Sequence, residues 1–434
     1  MTYKLLKMCG IDAYLVIRTI FLHSRKCRIG LFRKIAIALF FAVFLVMNSC
    51  SKANSETASQ PTLIKNEDIL VKTLLYTEWA KPSAVWSMNY AETRTFILEK
   101  LGDKCSNTNA SLQEMNDADL AWGAMMYQFL LNGGFFSASR LSEMTLSDFR
   151  NVIIELNQEN TGQPLQKFQD KSNAANLVLA YGWWFSKNSV TRPMIDKLTQ
   201  VKDNDPSFGT KDDTGRGMDV LRVVKADERY TYLGVYHSMV GPDHFKLYLA
   251  GSNDLKKWTQ LAELGDRAHQ GDIKKWGQGY LVANEQDTVL GSNNVQVRYF
   301  ASYADLLINK PSNKKSIVRS FAPTAEGTPD IRVVEGDRPE NSTITIGFHY
   351  YENRIHDRQA FGILHNFKDW RAWIDPVSNF TIAELGFTGN FGARNAFSHL
   401  GNFVLQEAQI TFGDWSSWRI LFGNGAFYCI LRPE

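Results

Sequence analysis

Acidic, amide and imidazole side chains recur at matching places along the second half of this 434-residue chain. Each copy starts with an acidic or amide residue before a β-rich run, and these leading residues are Asp219, Asp272, Asp330 and Asn395. A turn and a second β-rich run follow, and the second runs end at His237, Glu285, His349 and Glu407. Carboxylates brought together from different copies could cleave a glycosidic bond, which needs one ionised carboxylate and another held protonated.

The repeat of two β-rich runs is typical of a β-propeller, with copies spaced slightly more widely than the roughly 40 to 50 residues of a four-stranded blade. The innermost strands of a propeller and the loops before them converge on a central channel, so equivalent residues of successive blades meet at one end of the axis. We therefore predict an all-β five-bladed propeller over residues 217–434. Four blades are visible as copies, and residues 415–431 with part of 211–219 are expected to close the fifth.

Three motifs in this half resemble the five-bladed propeller glycosidases, the superfamily of arabinanases, xylosidases, invertases and levansucrases. They are Met218-Asp219-Val220 before the first strand, the turn from Ser252 to Trp258, and the run from Glu326 to Ile331. The resemblance implies that Asp219 is the base or nucleophile, that Asp272 orients and tunes the site, and that Glu326 is the acid. The sequence departs from the family at Val220, where Pro is usual, at an inserted Thr328, and at Gln270-Gly271 before Asp272.

A structural role is the alternative for the repeated acidic residues. An Asp at the head of an inner strand often caps backbone N–H groups of the neighbouring blade. This role is the better interpretation for Asp330 and Asn395, and both roles stay open for Asp219 and Asp272. Glu326 lies four residues before Asp330 and so breaks the repeat, which favours a functional role.

Further polar and aromatic residues are candidate sugar contacts, and these are His237, Glu285, His349, Arg394 and Trp276. Each has an alternative interpretation. The two histidines could be structural, and Glu285 could be the acid in place of Glu326. Arg394 could bridge blades, and Trp276 could belong to the packing of its blade. No CxxC or HExxH motif occurs, so the sequence predicts neither a metal site nor a cofactor.

The N-terminus has the pattern of a bacterial lipoprotein. An apolar run from Ile35 to Met47 follows Arg33-Lys34 and ends just before Cys50. We predict a leader over residues 1–49, a lipid on Cys50, a tether over residues 50–62 and a cell-envelope location; an uncleaved anchor or a buried helix are the alternatives. Without the basic leader the chain carries a slight excess of acidic residues, which argues against nucleic-acid binding.

Residues 63–187 show helical periodicity and are predicted to form a helical domain, with a linker over residues 188–216. One helix is expected from Asn116 to Leu131, before Asn132-Gly133-Gly134, and another from Thr145. The whole chain is thus predicted to be a membrane-anchored lipoprotein whose propeller recognises and hydrolyses a glycan. The alternative is a propeller that binds a carbohydrate or another partner without catalysis, and the sequence identifies no protein partner.

Overall fold

The computed structural model describes residues 65–132, 135–161, 211–254, 257–289, 292–352, 356–376, 394–399, 402–407 and 427–433. Within these ranges a set of helices precedes a region of antiparallel sheets. The predicted leader, the whole predicted tether with Cys50, and most of the predicted linker lie outside the described residues. In the ranges that are described, no helix has the length and apolar character needed to cross a bilayer.

The described part of the predicted helical domain forms α1 Asn66–Thr77, α2 Pro82–Ser87, α3 Tyr90–Gly102, α4 Asn109–Glu114, α5 Asp117–Asn132, α6 Ala138–Ser142 and α7 Leu146–Thr161. Both helices predicted from their caps are confirmed. The Asn116 side chain accepts a hydrogen bond from the backbone N–H of Asp119 (2.9 Å) at the start of α5. Thr145 and Asp148 form a reciprocal cap at the start of α7.

The β region begins with three four-stranded sheets in which each strand pairs with the next one along the chain. Sheet 1 contains β1 Asp219–Lys225, β2 Tyr232–Gly241, β3 His244–Ser252 and β4 Thr259–Asp266. Sheet 2 contains β5 Ala268–Trp276, β6 Gly279–Val289, β7 Ser292–Phe300 and β8 Asn313–Ser316, with a short helix, α8 Tyr303–Leu307, between β7 and β8. Sheet 3 contains β9 Glu326–Glu335, β10 Thr343–Glu352, β11 His356–His365 and β12 Asp369–Ile374.

Sheets 1, 2 and 3 stack like the blades of a propeller. Strand β5 contacts β1 on one side and β9 on the other, so the first strands of successive sheets lie side by side. Leu233 and Val282 belong to one core shared by sheets 1 and 2, and Leu281 and Ile346 belong to another shared by sheets 2 and 3. The prediction of an all-β C-terminal region after N-terminal helices is confirmed.

A fourth sheet has three described strands, β13 Arg394–His399, β14 Asn402–Glu407 and β15 Phe427–Pro433. The described residues therefore form four sheets, and no fifth sheet is present among them. The predicted count of five blades stays a prediction.

The register corrects the sequence alignment of the first strands. Asp272 lies opposite Ala283 and Asp330 lies opposite Gly347, whereas the matching position of sheet 1, opposite Val235, is Arg222. Asp219 lies three residues earlier, before a bulge that recurs at the same place in β1, β5 and β9. A bulge inserts one unpaired residue, and an alignment that matches acidic residues alone does not detect it.

The helices share a core with sheet 3. Phe361, Ile363 and Trp373 of that sheet are buried in the same cluster as Leu70 and Leu74 of α1. Ala360 and Leu364 of β11 belong to the core shared with sheet 2, because side chains of a strand alternate between its two faces. Sheet 3 thus lies between sheet 2 and the helices, and residues 62–434 form one compact unit.

A buried ion pair joins α1 to the end of sheet 3. The Lys72 ammonium lies 2.5 Å from the Asp375 carboxylate, and the two side chains are 2% and 0% exposed. Burial lowers the pKa of Lys72 to about 7, although Asp375 opposes this shift. At the other end of β11, Trp86 of α2 stacks on His365 with ring centroids 5.1 Å apart.

Replacing Lys72 with Ala is expected to lower the free energy of unfolding by about 3–5 kcal/mol, because it leaves the Asp375 charge buried without this partner. Urea unfolding measures the change. The control Lys81→Ala removes an exposed lysine nearby and should change stability by about 0.5 kcal/mol or less. The double variant Lys72→Met/Asp375→Leu should recover most of the loss, and a loss as large as that of Lys72→Ala would contradict a charge-based explanation.

Candidate functional site

Chemically versatile residues gather at the end of the sheets where the first strands begin. His237 lies opposite Asp219, Glu285 opposite His269, His349 opposite Gly327, and Glu407 opposite Arg394. The six of these residues that belong to sheets 1, 2 and 3 are called the start-end ring below. The shared bulge places His237, Glu285 and His349 at equivalent positions on their second strands, and the equivalence of Glu407 stays a prediction.

Asp219 is the accessible carboxylate of the described part of the ring. Its side chain is exposed and makes no hydrogen bond or ion pair with another described residue. Desolvation nevertheless raises the pKa of Asp219 above its ordinary value.

Two imidazoles pack together across sheets 1 and 2. The rings of His237 and His269 are 5.9 Å apart in an edge-to-face arrangement, and the Phe245 ring lies 5.3 Å from each of them. The Nδ1 atom of His237 accepts a hydrogen bond from the backbone N–H of Gln270 at 3.2 Å. Burial lowers the pKa of His237 to about 3, and His269 adds to the shift, so His237 is neutral at physiological pH.

His269 has the opposite electrostatic setting. Burial disfavours its charged form, but Glu285 at 3.7 Å and Asp287 at 3.2 Å outweigh this penalty and raise the pKa of His269. His269 was not among the predicted site residues, because Asp272, three residues later, was taken as the leading residue of this copy. The alignment of second-strand ends would have located it, since His269 pairs with Glu285.

Glu285 connects sheet 2 to the bulge of sheet 3. One carboxylate oxygen accepts a hydrogen bond from the backbone N–H of Thr328 at 3.1 Å, and the other accepts one from the Asn293 amide. A Cβ atom on Gly327 would overlap this carboxylate, so glycine is required for the approach. One oxygen thus holds the bulge of sheet 3, and the other is bonded to β7 of its own sheet.

The bulge residues of sheets 2 and 3 carry backbone strain. Gln270 and Thr328 each have φ of 47°, in the left-handed region that residues with a Cβ seldom occupy. Their side chains are hydrogen-bonded to each other. Such strain persists only where the surroundings enforce it, and it concentrates at functional sites.

Asp272, implied by the resemblance to orient and tune the site, is buried between neighbouring sheets. Its Oδ2 atom accepts a hydrogen bond from the backbone N–H of Ile331 in sheet 3 at 2.7 Å, and its Oδ1 atom lies 3.4 Å from Nε of Arg222 in sheet 1. This is the blade-capping geometry that the sequence analysis gave as the structural alternative.

Glu326, the implied acid, is 1% exposed. Its Oε1 atom accepts hydrogen bonds from three successive backbone N–H groups, those of Ser320 (2.8 Å), Phe321 (2.5 Å) and Ala322 (3.0 Å). Burial raises the pKa of Glu326 although these three hydrogen bonds oppose the shift. The matching positions in sheets 1 and 2 are the buried Met218 and Ala268, so a carboxylate here stands at a core position and fixes the loop before β9.

The remaining candidates are divided between the two ends of the sheets. His349 is buried at the ring. Arg394 begins the first strand of sheet 4, and its side chain lies outside the described residues. Trp276 lies at the opposite end of β5, where its indole donates to the carbonyl of Gly336 (2.8 Å) and packs against Tyr299, so the structure does not bring it to the other candidates. No group of three or more His, Cys, Asp or Glu side chains that could hold a metal ion occurs within the described ranges.

Comparison with known proteins gives similarity at the level of solved structures. No family model matches the chain, and no curated protein matches it. The α-L-arabinofuranosidase Arb93A of Fusarium graminearum shares 9% identity and a TM-score of 0.29, over 45% of this chain and 58% of that one. A thermostable family-43 glycoside hydrolase shares 12% identity and a TM-score of 0.31, over 48% of this chain and 66% of that one. The GH43_1 enzyme of Xanthomonas citri, complexed with xylotriose, shares 10% identity and a TM-score of 0.28, over 49% of this chain and 71% of that one. TM-scores this low carry no argument about activity.

Replacing Gly327 with Ala is expected to force the Glu285 carboxylate away from the backbone N–H of Thr328. The expected loss in the free energy of unfolding is about 1–3 kcal/mol, because a buried acceptor loses its donor and the core is overpacked. Chemical denaturation measures this loss. Gly217→Ala is the matched control, since a Cβ there meets no atom within 4 Å. Equal effects of the two substitutions would show that the contact with Glu285 is unimportant.

Replacing His237 with Asn is expected to reduce the acid sensitivity of the fold. The folded-state pKa of about 3 lies below the ordinary 6.5, so unfolding takes up a proton below about pH 6.5, and stability falls from there towards pH 3. This one group contributes a slope of at most about 1.4 kcal/mol per pH unit. Asn retains an acceptor for the Gln270 N–H and does not titrate. Unfolding curves from pH 7.5 to 4 should therefore be flatter for the variant, and parallel curves would refute the assignment.

Proposed function

We propose that the start-end ring binds a glycan, with Asp219 as the carboxylate that contacts it. The observation that carries the proposal is that Asp219 is exposed, desolvated and without a partner among the described residues. A free carboxylate oxygen in a partly desolvated setting forms strong hydrogen bonds with neutral hydroxyl donors such as those of a sugar. The motif around Asp219 also resembles the glycosidase motif described above.

Binding has better support than hydrolysis because the carboxylates that would accompany Asp219 are occupied. Hydrolysis needs a second carboxylate that reaches the substrate. Glu326 is buried under its loop, Asp272 is engaged by neighbouring sheets, and both oxygens of Glu285 accept hydrogen bonds. These three side chains hold loops and sheets in place, and Asp219 is left as the carboxylate that can contact a ligand.

Hydrolysis at the same place is the second candidate, favoured by the raised pKa of Asp219. A raised pKa holds a carboxyl group protonated at higher pH, which suits a general acid. The sequence resemblance implied that Asp219 is the base or nucleophile, whereas this second candidate makes Asp219 the acid.

The variant Asp219→Asn tests the proposal with a panel of purified oligosaccharides. Loss of a charge-assisted hydrogen bond is expected to weaken binding about tenfold to a hundredfold, as measured by calorimetry. The melting temperature should hold, because the side chain has no described partner. Asp369→Asn removes an exposed carboxylate at the opposite end of sheet 3 and should leave binding unchanged. Equal binding by wild type and Asp219→Asn would refute the proposal, and reducing ends released only by the wild type would establish hydrolysis.

A further inference from the structure

A cavity of about 400 Å³ lies where α1, the edge strand β12 and the loop before β9 meet, and none of its lining residues belongs to the start-end ring. Its walls are Lys65, Glu67 and Asp68, then Ser320 and Phe321, and then Arg371–Ile374. This volume is in the range of small-molecule sites, which is about 300–1,000 Å³. The helical segment and the β region each supply part of the lining.

The loop wall of the cavity is held in place from behind. The buried Glu326 carboxylate fixes the backbone of Ser320 and Phe321 through the three hydrogen bonds described above. The Phe321 ring packs on Phe348, with centroids 6.2 Å apart. The Trp370 indole donates to the Ser320 hydroxyl oxygen at 3.0 Å, which leaves the hydroxyl proton available as a donor. The buried Glu326 carboxylate, whose burial is energetically unfavourable, thus fixes this wall in one conformation.

The opposite wall is held equally firmly and keeps one open acceptor. Asp68 accepts hydrogen bonds from the backbone N–H groups of Ile374 (3.2 Å) and Lys65 (2.6 Å). One Glu67 oxygen accepts from Arg371 (3.2 Å) and from the Trp373 indole (3.3 Å), and the other has no partner among the described residues. The open carboxylate oxygen and the Ser320 hydroxyl give the cavity both an acceptor and a donor.

The charges and rings of the lining define the ligand class. Two cations, Lys65 and Arg371, balance two carboxylates, Glu67 and Asp68, so the lining carries no net charge that would favour an ion. Phe321 adds an apolar ring, whereas the Trp373 ring is 4% exposed, stacks on Phe361 and reaches the cavity at its edge beside Glu67. Hydroxyl-binding groups beside an aromatic ring suit a molecule that has hydroxyls around its rim and an apolar C–H face.

We propose that this cavity binds a neutral saccharide unit, as a second glycan subsite separate from the start-end ring. The site exists only because the helical segment docks on sheet 3, since α1 provides Glu67 and Asp68. The proposal does not require the start-end ring to bind a glycan.

Fluorine NMR of the full chain labelled with 5-fluorotryptophan tests the subsite, with cellotriose, xylotriose and galactotriose as probes at millimolar concentration. The Trp373 resonance, assigned through Trp373→Phe, should shift on titration with at least one probe. Trp276, at the far end of β5, should not shift and is the internal control. An unmoved Trp373 resonance with all three probes overturns the proposal.

Two serine variants separate cavity binding from a general effect on the fold. Ser320→Leu places a larger side chain at an exposed position of the cavity wall and should weaken the Trp373 titration at least tenfold. Ser312→Leu makes the same change at an exposed serine before β8 and should leave the titration unchanged. Equal titrations for Ser320→Leu and wild type overturn the subsite.

The Asp219→Asn variant separates this proposal from the proposed function. It should leave the Trp373 titration intact, whatever it does to binding at the ring. If Asp219→Asn removes all oligosaccharide binding, including the Trp373 shift, the cavity is not an independent subsite and only the ring proposal stands. If Ser320→Leu removes binding and Asp219→Asn does not, the subsite stands and the ring proposal fails.

Discussion

The buried carboxylate of Asp272 is the contact on which the arrangement of the sheets depends. It reaches Arg222 in sheet 1, the backbone N–H of Ile331 in sheet 3, and the backbone N–H of Ile273 in its own strand. A buried charge is tolerated only with a partner, which explains why sheet 1 carries Arg222 where sheets 2 and 3 carry Asp. Because one side chain fixes three neighbouring first strands, it also fixes the relative positions of the ring residues at their start.

Charged residues at otherwise apolar repeat positions identify where this fold is specialised. Glu326 takes the place of Met218 and Ala268, and the cost of burying its carboxylate is offset by three backbone donors. The result is a fixed loop instead of a reactive group. In a repeat protein a departure from the pattern is informative, but it distinguishes a positioning residue from a catalytic residue only when the exposure of the side chain is known.

The sequence predicted elements whose signals are local. The caps at Asn116 and Thr145 located two helices, and the polar ends of the second strands located the equivalent positions of sheets 1, 2 and 3. The bulges were not predictable, because a one-residue insertion changes the register without a compositional signal, and so His269 was missed. The docking of α1 on sheet 3 was also missed, since periodicity shows that a helix has an apolar face but does not show what covers it.

The ion pair between α1 and sheet 3 has a consequence for how the chain acquires its structure. Lys72 and Asp375 are separated by 303 residues, so α1 emerges from the ribosome long before its partner has been synthesised. Closing so long a loop costs entropy before any contact compensates for it, and folding slows as contacts become less local. Before that, Leu70 and Leu74 can pack on α5 within the helical segment, and the part of their core that sheet 3 contributes is completed last.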